Sequence, residues 1–385
     1  MLRQNWHEGE RDGTRFSYTE PSPGRYPWQW YWDSCFAAIV WRRFDPARAR
    51  RELESLLNAQ RPNGFIGHTI FWRHPVSLLR LAFYNVESRR SFQTETIQPP
   101  LLAWAWKIAV GDPNEEPRIG AHIDWLAANR NLDGDGLLWI VQPDESGLDA
   151  SPKFEPVWGR LANGKPGFPL LVRRNRRIGF NARRVRERGW PLLCETLVNT
   201  MWSLSLQAMG RPSATPALVE RLWDEDRGLF IDEAQPGDIR PGPVTWASLA
   251  PLALPDLPEA IGRRLVEEHL LDRNEFLTPV APPSVAVSEP SYDPSGANHG
   301  PIRLYWRGPT WINSAWMVWL GLRRLGYEQE AQQLADGVIG AVSREGLREY
   351  YDPRNGEGQG AKDFAWSALV AELAEPDEKS PASYL

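Results

Sequence analysis

At 385 residues the chain can enclose a large core as one or two domains, which excludes the marginal core of a mini-protein. Apolar residues make up 42% and charged residues 24%, the balance of a water-soluble globular protein, and a net charge of −5 argues against nucleic acid as a partner. No run of about eighteen apolar residues occurs, so no membrane-spanning helix is expected.

The first residues, "MLRQNWHEGERDG", are polar and lack the apolar stretch of a secretory signal. Cys35 and Cys194 each sit in an apolar helical pattern and read as buried free thiols, so the expectation is a cytoplasmic protein. Residues 26–33, "YPWQWYWD", then place three Trp and two Tyr beside Asp33. The chain has 20 Trp against 10 Tyr, more than a core ordinarily needs, because each buried indole N–H requires an acceptor.

From Asp33, read as an N-cap, "DSCFAAIVWRRF" has apolar residues at helical spacing. Pro46 opens the charged amphipathic stretch "PARARRELESLLNAQ". An apolar helix followed by an amphipathic one then recurs: 96–110 before 115–130, 191–210 before 214–226, 244–254 before 257–270, and 310–326 before 328–345. The apolar segment 361–374 makes a sixth inner helix and needs a partner from one of the termini. Helices apolar on all sides pack inside, and those with one stripe pack on the rim. The plan is therefore all-α, an (α/α)6 barrel of six hairpins forming a single catalytic domain over 1–385. Its outer-to-inner links, 61–95, 131–190, 227–243, 271–309 and 346–360, emerge on one face and are long enough to be functional. A protein-binding helical solenoid is the alternative; unequal loops and the lack of a shared repeat disfavour it.

Two of these links carry clustered carboxylates among turn residues. "VQPDESGLDASPKF" holds Asp144, Glu145 and Asp149, and "GLREYYDPRNGEGQGAKDF" holds Glu349, Asp352 and Glu357. One acid and one base across an aromatic pocket suit glycoside hydrolysis, with apolar surroundings keeping the acid protonated. Indole rings stack on the C–H face of a sugar, so "YPWQWYWD" reads as a pyranose platform with Asp33 gripping hydroxyls; rim packing is the plainer role. An isolated Asp in a Gly/Pro turn is more often a cap than a catalyst, so spacing alone does not choose among the carboxylates. "NLDGDGLL" (131–138) reads as a turn rather than a calcium loop, since it lacks a distal Glu. His68, His74, His122 and His299 show no paired ligand spacing, and neither a metal nor another cofactor is expected.

Six blocks, "WQWYWDSCFAA", "ELESLLNAQRPNGFIGH", "TIQPPLLAWAW", "ESGLDASPKF", "YWRGPTWINSAW" and "REYYDPRNGEGQGAKDFAWSALV", together resemble glycoside hydrolase family 63. These are inverting α-glycosidases, including processing α-glucosidases, and are related to trehalases. The short length without a β-sandwich domain is similar to the compact bacterial branch, which includes hydrolases of α-mannosylglycerate and α-glucosylglycerate. The resemblance spans about residues 26 to 370 and implies an (α/α)6 barrel. It implies Asp149 as general acid and Glu349 as general base. It also implies sugar contacts from Tyr26, Trp30, Asp33, Gln98, Tyr305, Trp306 and Trp311, with Gln359 beside them. Inversion implies a water at the anomeric carbon, with the two carboxyls about 6.5–9.5 Å apart.

The chain departs from the family pattern at 173–188, "RRNRRIGFNARRVRER", with eight Arg. Most read as a solvated surface, which could also contact a second subunit in a homo-oligomer. Arg183 is similar to an aglycone-binding Arg that would fork onto a carboxylate such as glycerate. Loops 61–94 and 131–190 read as a lid or cap over the site. The expected activity is hydrolysis of a small α-linked glucoside or mannoside with an anionic aglycone, with short α-gluco-oligosaccharides or trehalose-like disaccharides as the alternative. An epimerase on the same barrel would use His acid–base pairs, which six His in all disfavour, and a non-catalytic sugar binder would not need both Asp149 and Glu349.

Overall fold

Helix α1 (Tyr31–Phe44) buries every residue from Tyr31 to Trp41, whereas α2 (Pro46–Asn58) buries only a stripe that includes Leu53, Leu56 and Leu57. Asp45 separates them: its side chain accepts from the Arg48 N–H, and Pro46 takes the first helical position, where its missing N–H costs nothing. The computed structural model describes residues 1–77, 80–162, 164–295, 298–299, 302–303 and 306–375. The protein is mainly helical. After the first pair come α3 (Leu102–Ala109), α4 (Glu116–Arg130), α5 (Glu155–Trp158), α6 (Gly164–Arg176), α7 (Ala182–Glu187), α8 (Thr196–Ala208), α9 (Thr215–Leu222), α10 (Glu259–Arg264), α11 (Ile312–Arg324), α12 (Glu328–Glu345) and α13 (Val370–Ala374).

The apolar elements pack in chain order. α1 contacts α3, α3 contacts α8, α8 contacts a 3-10 segment at Trp246–Ala253, that segment contacts α11, and α11 contacts a 3-10 segment at Ala365–Leu369. The last segment returns to α1. The amphipathic α2, α9 and α12 lie against α1, α8 and α11. Residues 246–253 were expected as an α-helix; Pro251 inside the segment removes a donor and crowds the preceding turn. The apolar 361–374, expected as one helix, is instead a strand end, the 3-10 segment Ala365–Leu369 and the short α13, and it meets its partner at the N-terminus. Asn5 Nδ2 donates to Asp363 O at 2.9 Å, Ser22 Oγ to Lys362 O at 2.8 Å, and the Ala365 N–H to Pro21 O at 2.8 Å.

Two features lie outside the helical reading. The 131–190 link is not a bare loop but carries α5, α6 and α7, whose Gly, Pro and Arg content, Pro169 inside α6 included, hides their periodicity. Short antiparallel ribbons also appear: Trp6–Arg11 with Thr14–Thr19, Gln29–Trp30 with Thr69–Ile70, and Arg348–Tyr351 with Gly358–Lys362. Most are too short to leave a period-two signal. A large apolar core runs from Phe16 to Leu373 and holds most Trp, and a small separate cluster of Trp28, Phe71, Val76 and Val86 packs beside Trp30, so the indole surplus is chiefly packing. Cys35 and Cys194 are buried and free. No helix among the described residues is long and apolar enough to cross a membrane.

Candidate active site

The aromatic segment enters the site through a ribbon. Gln29–Trp30 pairs with Thr69–Ile70, and Trp30 then becomes the N-cap of α1 in extended conformation, with the Tyr31 N–H on His68 O at 3.0 Å. Asp33 is thus not the N-cap but sits in the first turn, where the helix N-terminus favours a carboxylate. Gln98, from the link before α3, accepts the Trp32 N–H at 3.0 Å through Oε1. Trp306 and Trp311 stack face to face at 3.9 Å and 7° before α11.

Glu349 lies on the Arg348–Tyr351 strand. Its Oε1 accepts from the Tyr26 hydroxyl at 2.8 Å, its Oε2 from the Ala361 N–H at 2.8 Å, and Arg25 Nη2 stands 4.0 Å away. Burial pushes its carboxyl above the usual range, while the Ala361 N–H, the Arg25 charge and the Tyr26 hydroxyl pull it back. Asp33 is also raised, well above the usual value, mainly by burial, against its own backbone N–H and with the charge of Glu349 adding to the rise.

Asp149 ends a turn that begins with a 3-10 segment, Pro143–Ser146. Gly147 follows at φ 75°, and a Cβ there would meet the Trp32 ring at 2.6 Å, so only glycine lets the turn lie on the indole. Behind it, the buried Asp144 accepts from Gln142 Nε2 at 2.6 Å and from Asn85 Nδ2. Burial first, and then the charge of Asp149, push Asp144 up to about 8. Glu145 serves the fold: it pairs with buried Arg130 at 2.8 Å and accepts the Val141 N–H at 2.7 Å.

Tyr26, Trp30, Asp33, Gln98, Asp149, Trp306, Trp311 and Glu349 all line one cavity of about 460 Å³. Asp149 and Glu349, from the second and fifth links, therefore share a pocket with the aromatic rings. A larger groove of about 940 Å³ runs between 270–282 and α12, but its two carboxylates, Glu330 and Asp336, sit on a single helix and no Trp lines it. Volume alone does not locate the chemistry.

Two expected residues stand apart. Arg183 does not line the pocket; its side chain is exposed and donates to Ala128 O on α4 at 2.9 Å, because α7 lies on the outer surface of that helix. Gln359 is on the ribbon beside Glu349, opposite Tyr350, but its amide donates to Pro294 O at 3.1 Å and it does not line the cavity. Tyr305 lies outside the described residues. In the 131–138 turn, Asp133 and Asp135 both pair with Arg221 at 2.6 Å.

The sequence reading missed His68, Phe364 and Trp366 as pocket walls, and took Trp32 only as part of the aromatic run. His68 meets the Trp30 ring edge-on at 5.3 Å, and burial pushes it down to about 3, so it is neutral at ordinary pH. Its only sequence signal was its place after "NGFIG", just ahead of the strand that pairs with Trp30.

The family model described as the mannosylglycerate hydrolase MGH1-like glycoside hydrolase domain matches residues 26–199 and 206–367. A mannosylglycerate hydrolase of Rubrobacter radiotolerans is 28% identical, over 92% of this chain and 92% of its own. A glucosylglycerate hydrolase of Mycolicibacterium hassiacum is 24% identical, over 91% and 92%. Among solved structures, a GH63 mannosylglycerate hydrolase from Thermus thermophilus in complex with Tris matches with a TM-score of 0.80 and 26% identity, over 97% of each chain.

Proposed function

The chain belongs to the mannosylglycerate hydrolase MGH1-like glycoside hydrolase family, and from that premise we propose an inverting α-glycosidase that cleaves a small α-mannoside or α-glucoside with an anionic aglycone, glycerate first. The carrying observation is that Asp149 and Glu349 lie on the wall of the same aromatic pocket. Asp149 gives its proton to the glycosidic oxygen as the bond to the anomeric carbon breaks. A water attacks that carbon from the opposite face, and Glu349 takes the water's proton. The donors from Tyr26 and Ala361 and the nearby Arg25 favour the ionised form that a base needs. Trp30, Trp306 and Trp311 supply ring surface, and Asp33 and Gln98 supply polar partners for hydroxyls.

The closed series of inner contacts supports an (α/α)6 barrel, and one large core that draws on residues from Phe16 to Leu373 supports one catalytic domain. Residues 61–94 and 131–190 form its cap in this reading, supported by Arg176 of α6, which donates to Leu81 O at 2.7 Å, Tyr84 O at 2.9 Å and Val86 O at 2.7 Å. The buried free thiols suit a reducing compartment and support a cytoplasmic location. With Arg183 outside the pocket, the glycerate preference rests on the relatives.

Proton NMR of the first product from α-mannosylglycerate and α-glucosylglycerate tests the reading. The β-sugar is expected first. Release of the α-sugar would refute inversion, and turnover of α-gluco-oligosaccharides alone would move the substrate class.

A further inference from the structure

The residue after Asp149 holds an uncommon backbone conformation. Ala150 has φ 63°, a left-handed value that a side chain with a Cβ seldom adopts. Such a conformation persists only where the surroundings over-determine it. A return to negative φ would rotate the peptide between Asp149 and Ala150, and with it the backbone that aims the Asp149 carboxyl.

The surroundings here include Arg307. It lies one residue past the pocket wall Trp306, and its guanidinium is largely buried. Nε donates to Ala150 O at 2.9 Å, and Nη2 donates to Glu155 at the start of α5. Glu155 helps fix the guanidinium plane, and the guanidinium fixes the carbonyl. The Arg307 carbonyl in turn accepts the Asp293 N–H at 2.7 Å, and the Gly308 N–H donates to Ser284 Oγ at 2.8 Å, so the segment that carries the clamp is itself held. One segment thus supplies both a ring of the sugar pocket and the grip on the acid turn.

A second, independent anchor sits further along. Lys153 is buried with Nζ 3.0 Å from Asp232 Oδ2 and bonded to Glu195, at the foot of α8. It ties the end of the turn to the barrel whether or not Arg307 is present, so loss of Arg307 releases the Ala150 end alone.

We infer that Arg307 is a positioning residue for the general acid, acting through the Ala150 carbonyl to hold the Asp149 turn in the conformation that presents its carboxyl to the leaving oxygen. The inference rests on the reading of Asp149 as that acid. It predicts a loss confined to substrates that need a proton delivered. A glycerate leaves poorly without one, whereas fluoride leaves without protonation.

The test compares Arg307→Met, Arg307→Lys and Asp149→Asn on the α-glycosylglycerate and on the α-glycosyl fluoride of the same sugar. Arg307→Met is expected to lower kcat about 100-fold on the glycosylglycerate with little change in KM, and less than about 5-fold on the fluoride. Arg307→Lys, able to reach one of the two acceptors, is expected to recover about 10-fold of the loss on the glycosylglycerate. Equal slowing on both substrates would overturn the inference, because a misfolded or sugar-binding defect does not distinguish leaving groups. If Arg307→Met fails to fold, Arg307→Lys carries the same comparison, with slowing on the glycosylglycerate alone as the expected result. Asp149→Asn separates the two failures. If it slows both substrates equally, the acid assignment falls; if it shows the split and the Arg307 variants do not, only the clamp falls.

Discussion

The Tyr26 hydroxyl donates to Glu349 Oε1 at 2.8 Å across 323 positions of chain. Tyr26 is therefore a partner of the carboxylate as well as part of the aromatic wall. The contact forms because the N-terminal segment is bonded to the last inner segment, Ala365 N–H to Pro21 O, which lays 26–33 beside the 348–362 ribbon. That single closure puts the strand of Glu349 and an aromatic platform on one pocket.

Asp149→Asn and Glu349→Gln are expected each to lower kcat by about 10²–10⁴-fold while leaving the melting temperature within about 2 °C of the parent. In Glu349→Gln the amide oxygen can still accept a hydrogen bond from the Tyr26 hydroxyl or the Ala361 N–H, so the loss would report chemistry rather than packing. Near-normal turnover by either variant removes that residue from its role.

Arg25→Met should move the acid limb of the pH–kcat profile upward. Glu349 works ionised, so activity falls as pH drops through its pKa. Burial raises that pKa and the Arg25 charge lowers it, so removing Arg25 raises it further. Arg25 is one-third exposed and 4.0 Å away, so solvent screens its charge and the upward shift is expected to be small. A limb that stays put or moves down would contradict this account of Glu349.

Glu52→Gln should flatten the decline of stability with rising pH. Glu52 is fully buried, and burial pushes it from 4.5 up to about 7, against donors from Ser34 and Thr19. A carboxyl raised on folding favours the folded state fully below pH 4.5 and loses that contribution as pH rises through 7. The loss is on the order of 3 kcal/mol. Melting temperatures from pH 5 to 8 should fall for the parent and fall less for Glu52→Gln; parallel curves would show that Glu52 does not titrate there.

Gly360→Ala should impair catalysis more than folding. Gly360 has φ 69°, and a Cβ there would stand 2.7 Å from both Glu349 Cβ and Oε2. The base would have to move, so kcat should fall by at least about 10-fold, with a stability cost of about 1–3 kcal/mol from the strained backbone. Full activity in this variant would mean that the Glu349 rotamer is not critical.

The alternation of apolar and amphipathic helices was written in the chain, because helical burial repeats within ten to twenty neighbouring residues. So was the concentration of carboxylates and aromatics in the long links, and six blocks carried the family. Asp149 and Glu349 could be named on those grounds, but their meeting depends on packing between segments 200 positions apart. Helical periodicity also gives no sign of two-residue strands, and for that reason His68 was weighed only as a metal ligand and not as a pocket wall, although it faces Trp30. The Arg-rich run shows the limit most plainly. Along the chain its eight Arg are interchangeable, yet in space Arg176 holds the carbonyls of 81–86, Arg186 pairs with Asp133, Arg174 and Arg188 lie over Trp190, and Arg183 points away to Ala128 O. Sequence settles what a segment is made of and which face it buries; which side chains converge is fixed by long-range contacts whose partners no local pattern encodes.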